Sequence, residues 1–311
     1  MLALAGCSAV DREPDESRPL APEPDCGDCY VVNAALAGAG ATLFMGGYFG
    51  DGTASEGFVR AFESGAWSAR LDGRSLGAVR SLWAASSHEL YLIAGGNLQH
   101  LDLDVRQLDD VGIAGTVVWG SARDDVWVLG DGTAQRFDGD GWNEEPLPLA
   151  DPIAVSGSSA ADVFALGAEG TIVHYDGEAW TEVEPAPTPD LQDIVVVEGQ
   201  LHVAAGADAG DNGTARGAIL RYDGRSWHEE QRATGDALLA IAAAGASRMY
   251  AVGGSREPGG AARPIVWQFD GERWSRSRAG DTDAFLWDAF CDEAGTCYAA
   301  GTDNTFLELD F

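Results

Sequence analysis

No stretch of the 311 residues approaches the roughly 18 consecutive apolar positions of a membrane-spanning helix, which excludes a helical span. Basic residues are scarce: 19 Lys and Arg stand against 50 Asp and Glu, a formal charge of −31. A field of that sign repels phosphate backbones and anionic headgroups, so nucleic acid is excluded as a partner. A solvated acidic surface that keeps the protein soluble accounts for the excess. Histidine occurs five times, at 88, 100, 174, 202 and 228, in separate segments and never in His-Glu-x-x-His or another metal spacing. There is no Gly-x-Ser-x-Gly elbow, Ser156-Gly-Ser-Ser reading as a strand-end turn, and carboxylates are too abundant for one glycosidase pair to stand out. No catalytic residue is assigned and no cofactor is expected.

What the chain does contain is a repeat. Residues 153–182 hold four short β-prone runs: Ile153–Val155, Asp162–Leu166, Thr171–Tyr175 and Ala179–Val183. Each is rich in β-branched or aromatic residues and closed by Gly, Asp-Gly or Pro. Asp176-Gly177 turns the third run back on the fourth, because Asp and Gly accept the positive φ of tight hairpins. The same corner recurs as Phe137-Asp138-Gly-Asp-Gly-Trp142, Tyr175-Asp176-Gly-Glu-Ala-Trp180, Tyr222-Asp223-Gly-Arg-Ser-Trp227 and Phe269-Asp270-Gly-Glu-Arg-Trp274, with a degenerate form ending at Trp67. A thin four-stranded sheet cannot bury both faces alone, so such units stack around an axis. Second strands ending in Gly at 46, 95, 130, 167, 206, 253 and 301 number seven. The expected fold is all-β, a seven-bladed β-propeller of four-stranded antiparallel blades over residues 30–311. The seventh blade reaches Phe311 inside its third strand, its outer strand being either missing or supplied from residues 20–29. The repeated Trp is expected to wedge between blades, and the Asp of each corner to serve the turn.

The cysteines divide into one and four. Leu4-Ala-Gly-Cys7 resembles the lipobox of bacterial lipoproteins, where the Cys carries lipid, and a charged, proline-rich run follows it. Met1 to Gly6 supplies neither a basic n-region nor a full apolar stretch, so the true start is expected upstream. The resemblance implies a chain anchored through Cys7; Ser8, in place of Asp after the Cys, implies an outer-membrane address. Residues 1–7 are then a residual signal segment. Residues 8–29, rich in Pro and acid and without an apolar period across the run, are expected to be a disordered tether.

Cys26, Cys29, Cys291 and Cys297 would lie in an oxidising compartment. Local pairing is the favoured expectation, since one hairpin brings Cys291 and Cys297 together. The rival joins Cys26 or Cys29 to the seventh blade and closes a far longer loop, worth roughly 5 to 6 kcal/mol against about 2 to 3 for the local bridge.

Three segments between second and third strands are long: 50–57, 207–217 and 254–264. A circular arrangement puts them on one face with the blade-to-blade links, such as 184–190, 229–236 and 276–283, while the Asp-Gly corners take the other face. Loops that grow on one face of a constant scaffold are where propellers place binding. Asp51, Glu56, Asp208, Asp211, Asn212, Arg216, Arg256 and Arg263 are the candidate contact residues there, for a protein or glycan ligand. Asp208 and Asp211 also suit calcium by chemistry, but their spacing departs from the alternating Asp-x-Asp-x-Asp-Gly loop.

The pattern Gly157-Ser-Ser-Ala-Ala-Asp-Val-Phe-Ala-Leu-Gly167 followed by Gly170-Thr-Ile-Val-His-Tyr-Asp-Gly-Glu-Ala-Trp180 resembles the repeat of seven-bladed propeller lipoproteins abundant in some Gram-negative bacteria. That resemblance covers residues 30–311 and implies fold and envelope location, with little implied about activity. A non-catalytic, surface-anchored binding or scaffold protein, monomeric and touching membrane only through its lipid, is the leading expectation. A polysaccharide-acting propeller enzyme, assisted by calcium, is the alternative.

Overall fold

A computed structural model describes residues 30–50, 55–73, 76–188, 190–207, 215–256, 262–279 and 283–309. All their regular structure is β. The first blade comprises β1 (Tyr30–Ala39), β2 (Thr42–Gly50), β3 (Ser55–Glu63) and β4 (Ala66–Gly73). The second comprises β5 (Val79–Ser86), β6 (Glu89–Ala94), β7 (Asn97–Asp102) and β8 (Gln107–Ala114); the third, β9 (Val117–Ala122), β10 (Asp125–Gly130), β11 (Thr133–Phe137) and β12 (Trp142–Pro146). The fourth is β13 (Pro152–Ser159), β14 (Asp162–Gly167), β15 (Ile172–Tyr175) and β16 (Trp180–Glu182). The fifth is β17 (Leu191–Val197), β18 (Gln200–Ala207), β19 (Arg216–Tyr222) and β20 (Trp227–Thr234). The sixth is β21 (Asp236–Gly245), β22 (Arg248–Arg256), β23 (Ala262–Phe269) and β24 (Trp274–Arg278). The seventh holds β25 (Leu286–Cys291), β26 (Cys297–Gly301) and β27 (Phe306–Leu309), three strands among the described residues.

Every blade is an antiparallel meander with its first strand innermost. The ring closes where β25 and β26 meet β1: Val32 bridges Thr302, and Asn33 Nδ2 donates to Thr305 O at 3.1 Å. The core is not one cluster but a series of seams. Trp127 of the third blade is fully buried and meets Trp180 of the fourth edge-on, with ring centroids 5.4 Å apart. Trp67 of the first meets Phe306 of the seventh at 4.9 Å, and Trp274 Nε1 of the sixth donates to Glu230 Oε2 of the fifth at 3.1 Å. Trp227 Nε1 donates to Glu184 O at 2.8 Å, and Trp142 packs in the seam with the second blade. The corner tryptophan thus leans on the preceding blade each time, but only Trp180 and Trp274 are buried.

The Asp-Gly corners work differently from expectation. Only the glycines take positive φ, near +90° at Gly139, Gly177, Gly224 and Gly271. The aspartates accept instead: Asp176 Oδ1 takes the N–H groups of Glu178 and Ala179 at 2.9 and 3.0 Å, and Asp138, Asp223 and Asp270 repeat the pair of bonds. These bonds lower all four carboxyls. Asp223 falls to about 2, chiefly through its bond from His228.

Two further expectations are corrected. Ser156 lies inside β13, not in a turn, and its Oγ accepts Val196 N of the next blade at 3.1 Å. The described ends of the long connections are ladder: Gly50 faces Ser55, Ala207 faces Arg216 and Arg256 faces Ala262, while 229–234 continue β20. Hydrogen bonds satisfied in register favour strand extension over loop wherever both arms can pair. Cys291 and Cys297 are partners across the β25–β26 hairpin and form the local disulfide. Cys7, Cys26 and Cys29 lie outside the described residues.

Candidate functional site

The inner strand of each blade is an edge strand, so the backbone groups facing the axis have no ladder partner. Seven such edges surround a bore of about 430 Å³. Side chains take up part of the unpaired backbone. Asp193 Oδ2 on β17 accepts Ile241 N of β21 at 2.9 Å, and Asp288 Oδ2 on β25 accepts Leu36 N of β1 at 2.6 Å. Each aspartate also accepts the N–H of its own following residue on Oδ1, at 2.8 Å. Ser81 Oγ does the same work on Val118 N at 3.0 Å.

Both carboxyl groups line the bore and are part-buried. Burial pushes Asp193 up to about 7 despite its two backbone bonds. Burial, and then repulsion from Asp193, pushes Asp288 up to about 8. These groups tie neighbouring inner strands together.

Six of the seven inner strands skip one residue of register near their start: Ala34, Arg80, Ile153, Gln192, Leu239 and Trp287 are passed over by the neighbouring strand. A bulge re-aims the skipped side chain. All six line one end of the bore, at the face where each chain crossing enters. Trp287 is 48% exposed and Ile153 39%, although both are large and apolar. Arg80, which also lines the bore, is exposed, its guanidinium 5.2 Å from the centre of the Tyr48 ring.

The residues singled out from sequence surround this mouth at a distance or fall outside the described set. Glu56 sits on β3 opposite Phe49; Arg216 on β19 and Arg263 on β23 are exposed; Arg256 ends β22. Asp51, Asp208, Asp211 and Asn212 lie outside the described residues, and with them the calcium expectation. Among the described residues no group of three or more His, Cys, Asp or Glu could hold a metal ion. Three of the five histidines pair with nearby carboxylates: His174 Nε2 lies 2.7 Å from Asp162 Oδ1, His100 Nε2 3.0 Å from Glu89 Oε1, and His228 Nε2 2.8 Å from Asp223 Oδ2. The aspartates in the bore and the bulged ring were missed from sequence. A bulge is a property of pairing, so the signal was at most Trp287 standing between Leu286 and Asp288 where an alternating strand would bury or expose both neighbours alike.

Seven meanders around a bored axis define a seven-bladed β-propeller. No family model and no curated protein matches the sequence. Among solved structures the chain is similar to YCF48 bound to D1 peptide, at TM-score 0.65 and 11% identity over 94% of this chain and 99% of that one. It is also similar to Kuenenia stuttgartiensis hydrazine synthase (0.65, 11%, 90% and 95%) and to the WD40 β-propeller domain of Doa1 (0.64, 12%, 93% and 95%). At such identities the likeness is one of fold.

Proposed function

We propose that this chain is a non-catalytic binding propeller, anchored in the cell envelope through Cys7, whose protein ligand seats across the mouth of the bore. The observation that carries the reading is the pair Trp287 and Ile153, left exposed at the mouth by bulges that turn them away from the blade seams. Exposed large apolar side chains and a guanidinium around one opening are residue types enriched where proteins bind partners. Among the described residues the other two large apolar residues that are exposed, Val105 and Leu108, belong to the β7–β8 hairpin. The peptide in the YCF48 structure is a property of that protein; it supports a protein ligand over a glycan here.

Capture from solubilised envelope by the full chain, compared with Trp287→Ala, tests the reading. Co-purification of a discrete protein by the parent and its loss in the variant is the expected result. Equal capture by both, or retention of glycans on an array with no protein captured, refutes it. Fatty-acid labelling that disappears in Cys7→Ser tests the anchor separately.

A further inference from the structure

The bulged ring at the mouth stands above a layer of different chemistry. Each inner strand enters at the mouth, so the residue after a skipped one lies about 3.3 Å further in along the strand. In four of the bulged blades that residue is small and uncharged: Ala35, Ser81, Ala154 and Ala240. In the other two it is an aspartate, Asp193 in the fifth blade and Asp288 in the seventh. An exposed collar holding Trp287 and Ile153 thus opens onto two carboxyls set among small side chains.

Neither carboxyl is saturated. A carboxylate offers about four lone-pair sites, and each of these gives two to the backbone: Asp193 to the N–H groups of Ile194 and Ile241, Asp288 to those of Ala289 and Leu36. Among the described residues no cation answers them. Arg80 is the one basic residue lining the bore, and its guanidinium lies over the Tyr48 ring of β2, one strand out from the innermost. Burial acts on both carboxyls, and Asp193 repels Asp288. Two like charges that share a part-buried space without a counter-ion carry a cost that an incoming cation removes.

The order of the layers matches one kind of side chain. Lys and Arg hold an apolar stem of three or four carbons behind the charge, long enough to cross one residue of strand from the collar to the carboxyls. The stem meets apolar surface and the head meets carboxylate. An acidic side chain would meet its own sign at that depth, and an apolar one would leave the pair unanswered.

We propose that the protein ligand inserts a basic side chain into the bore, its stem passing the collar of Trp287 and Ile153 and its cationic head resting on the Asp193 and Asp288 carboxylates. The proposal rests on the binding reading above and supplies the chemistry of its partner. Insertion strengthens as pH rises. Asp193 at about 7 and Asp288 at about 8 give up their protons across neutrality, whereas a lysine stays charged to about pH 10.

Capped pentapeptides with two glycines on each side of a central lysine, arginine, norleucine or glutamate test the insertion. They are titrated into the full 311-residue chain at pH 8.5 and followed by NMR at the Leu36 and Ile241 amides, which bond to the two carboxyls. The lysine or the arginine peptide should bind at least 10-fold tighter than the norleucine peptide. That preference should shrink at pH 6 and vanish in Asp193→Asn/Asp288→Asn, whose amide oxygens still accept the neighbouring N–H. Equal binding of charged and uncharged peptides, tighter binding of the glutamate peptide, or a preference that survives in the double variant would overturn the proposal. Envelope capture separates it from the reading beneath it. Capture lost in Trp287→Ala but kept in the double aspartate variant overturns the insertion alone; capture untouched by either variant overturns the reading as well.

Discussion

Asp288 Oδ2 accepts the backbone N–H of Leu36 at 2.6 Å, a carboxylate fastening the last blade to the first at the lip of a shared bore. Asp193 fastens the fifth blade to the sixth in the same manner. The ring is thus tied near its axis by groups that titrate, and at its rim by tryptophans that do not.

Stability should fall as pH rises through neutrality. Burial holds the Asp193 and Asp288 carboxyls up at about 7 and about 8, while in the unfolded chain both ionise near 4. The folded state therefore binds more protons between those values; the contribution is complete below about pH 4 and is lost by about pH 8. Melting temperature measured from pH 5 to 9 should decline in the parent and flatten in Asp193→Asn/Asp288→Asn, where the amide oxygen can still accept the neighbour's N–H. Parallel profiles would contradict the assignment.

The glycine ending the second strand of the seventh blade is required for close approach. A Cβ on Gly301 would lie 1.9 Å from Phe285 O, and one on Gly253 the same distance from Ala237 O. Backbone cannot yield as a flexible side chain does, so Gly301→Ala should cost about 1 to 3 kcal/mol in denaturant unfolding. A cost within 0.5 kcal/mol or so, typical of surface changes, would show that the blades sit further apart.

Trp180 and Trp227 occupy the same corner position in successive blades with different burial. Trp180→Ala should cost about 3 to 5 kcal/mol, as for a large aromatic deleted from a core. Trp227→Ala should cost clearly less, since its ring is half-exposed and its Nε1 bond to Glu184 O is the main loss. Equal costs would argue against the seam as the site of stability.

The Cys291–Cys297 bridge spans six residues of sequence, within a hairpin already held by its ladder. Reduction should lower stability by no more than about 2 to 3 kcal/mol and leave the fold intact, as judged by near-ultraviolet dichroism. Collapse of tertiary signal on reduction would mean that the seventh blade depends on the link.

Blade number, strand order and the seam-facing tryptophans were legible in the chain, because each follows from a repeated local pattern: a Gly stop after seven second strands and an Asp-Gly corner before four of the tryptophans. Local chemistry also brought Cys291 to Cys297. The role of the corner aspartates was half legible. Their place in a turn shows in Asp176-Gly177, but whether Asp bends the chain or accepts its N–H groups depends on dihedral angles that neighbouring strands impose.

What only the tertiary structure decided lies at the axis and in the links. Asp193 and Asp288 are two among 50 acidic residues in sequence and become distinct because the ring sets each against an unpaired inner edge in a shared bore. Trp287 and Ile153 face the mouth because register slips by one residue there, and register belongs to two strands at once. The described ends of segments that looked like loops became ladder for the same reason: a backbone N–H pairs with whatever carbonyl the fold brings opposite, and no single strand specifies its partner.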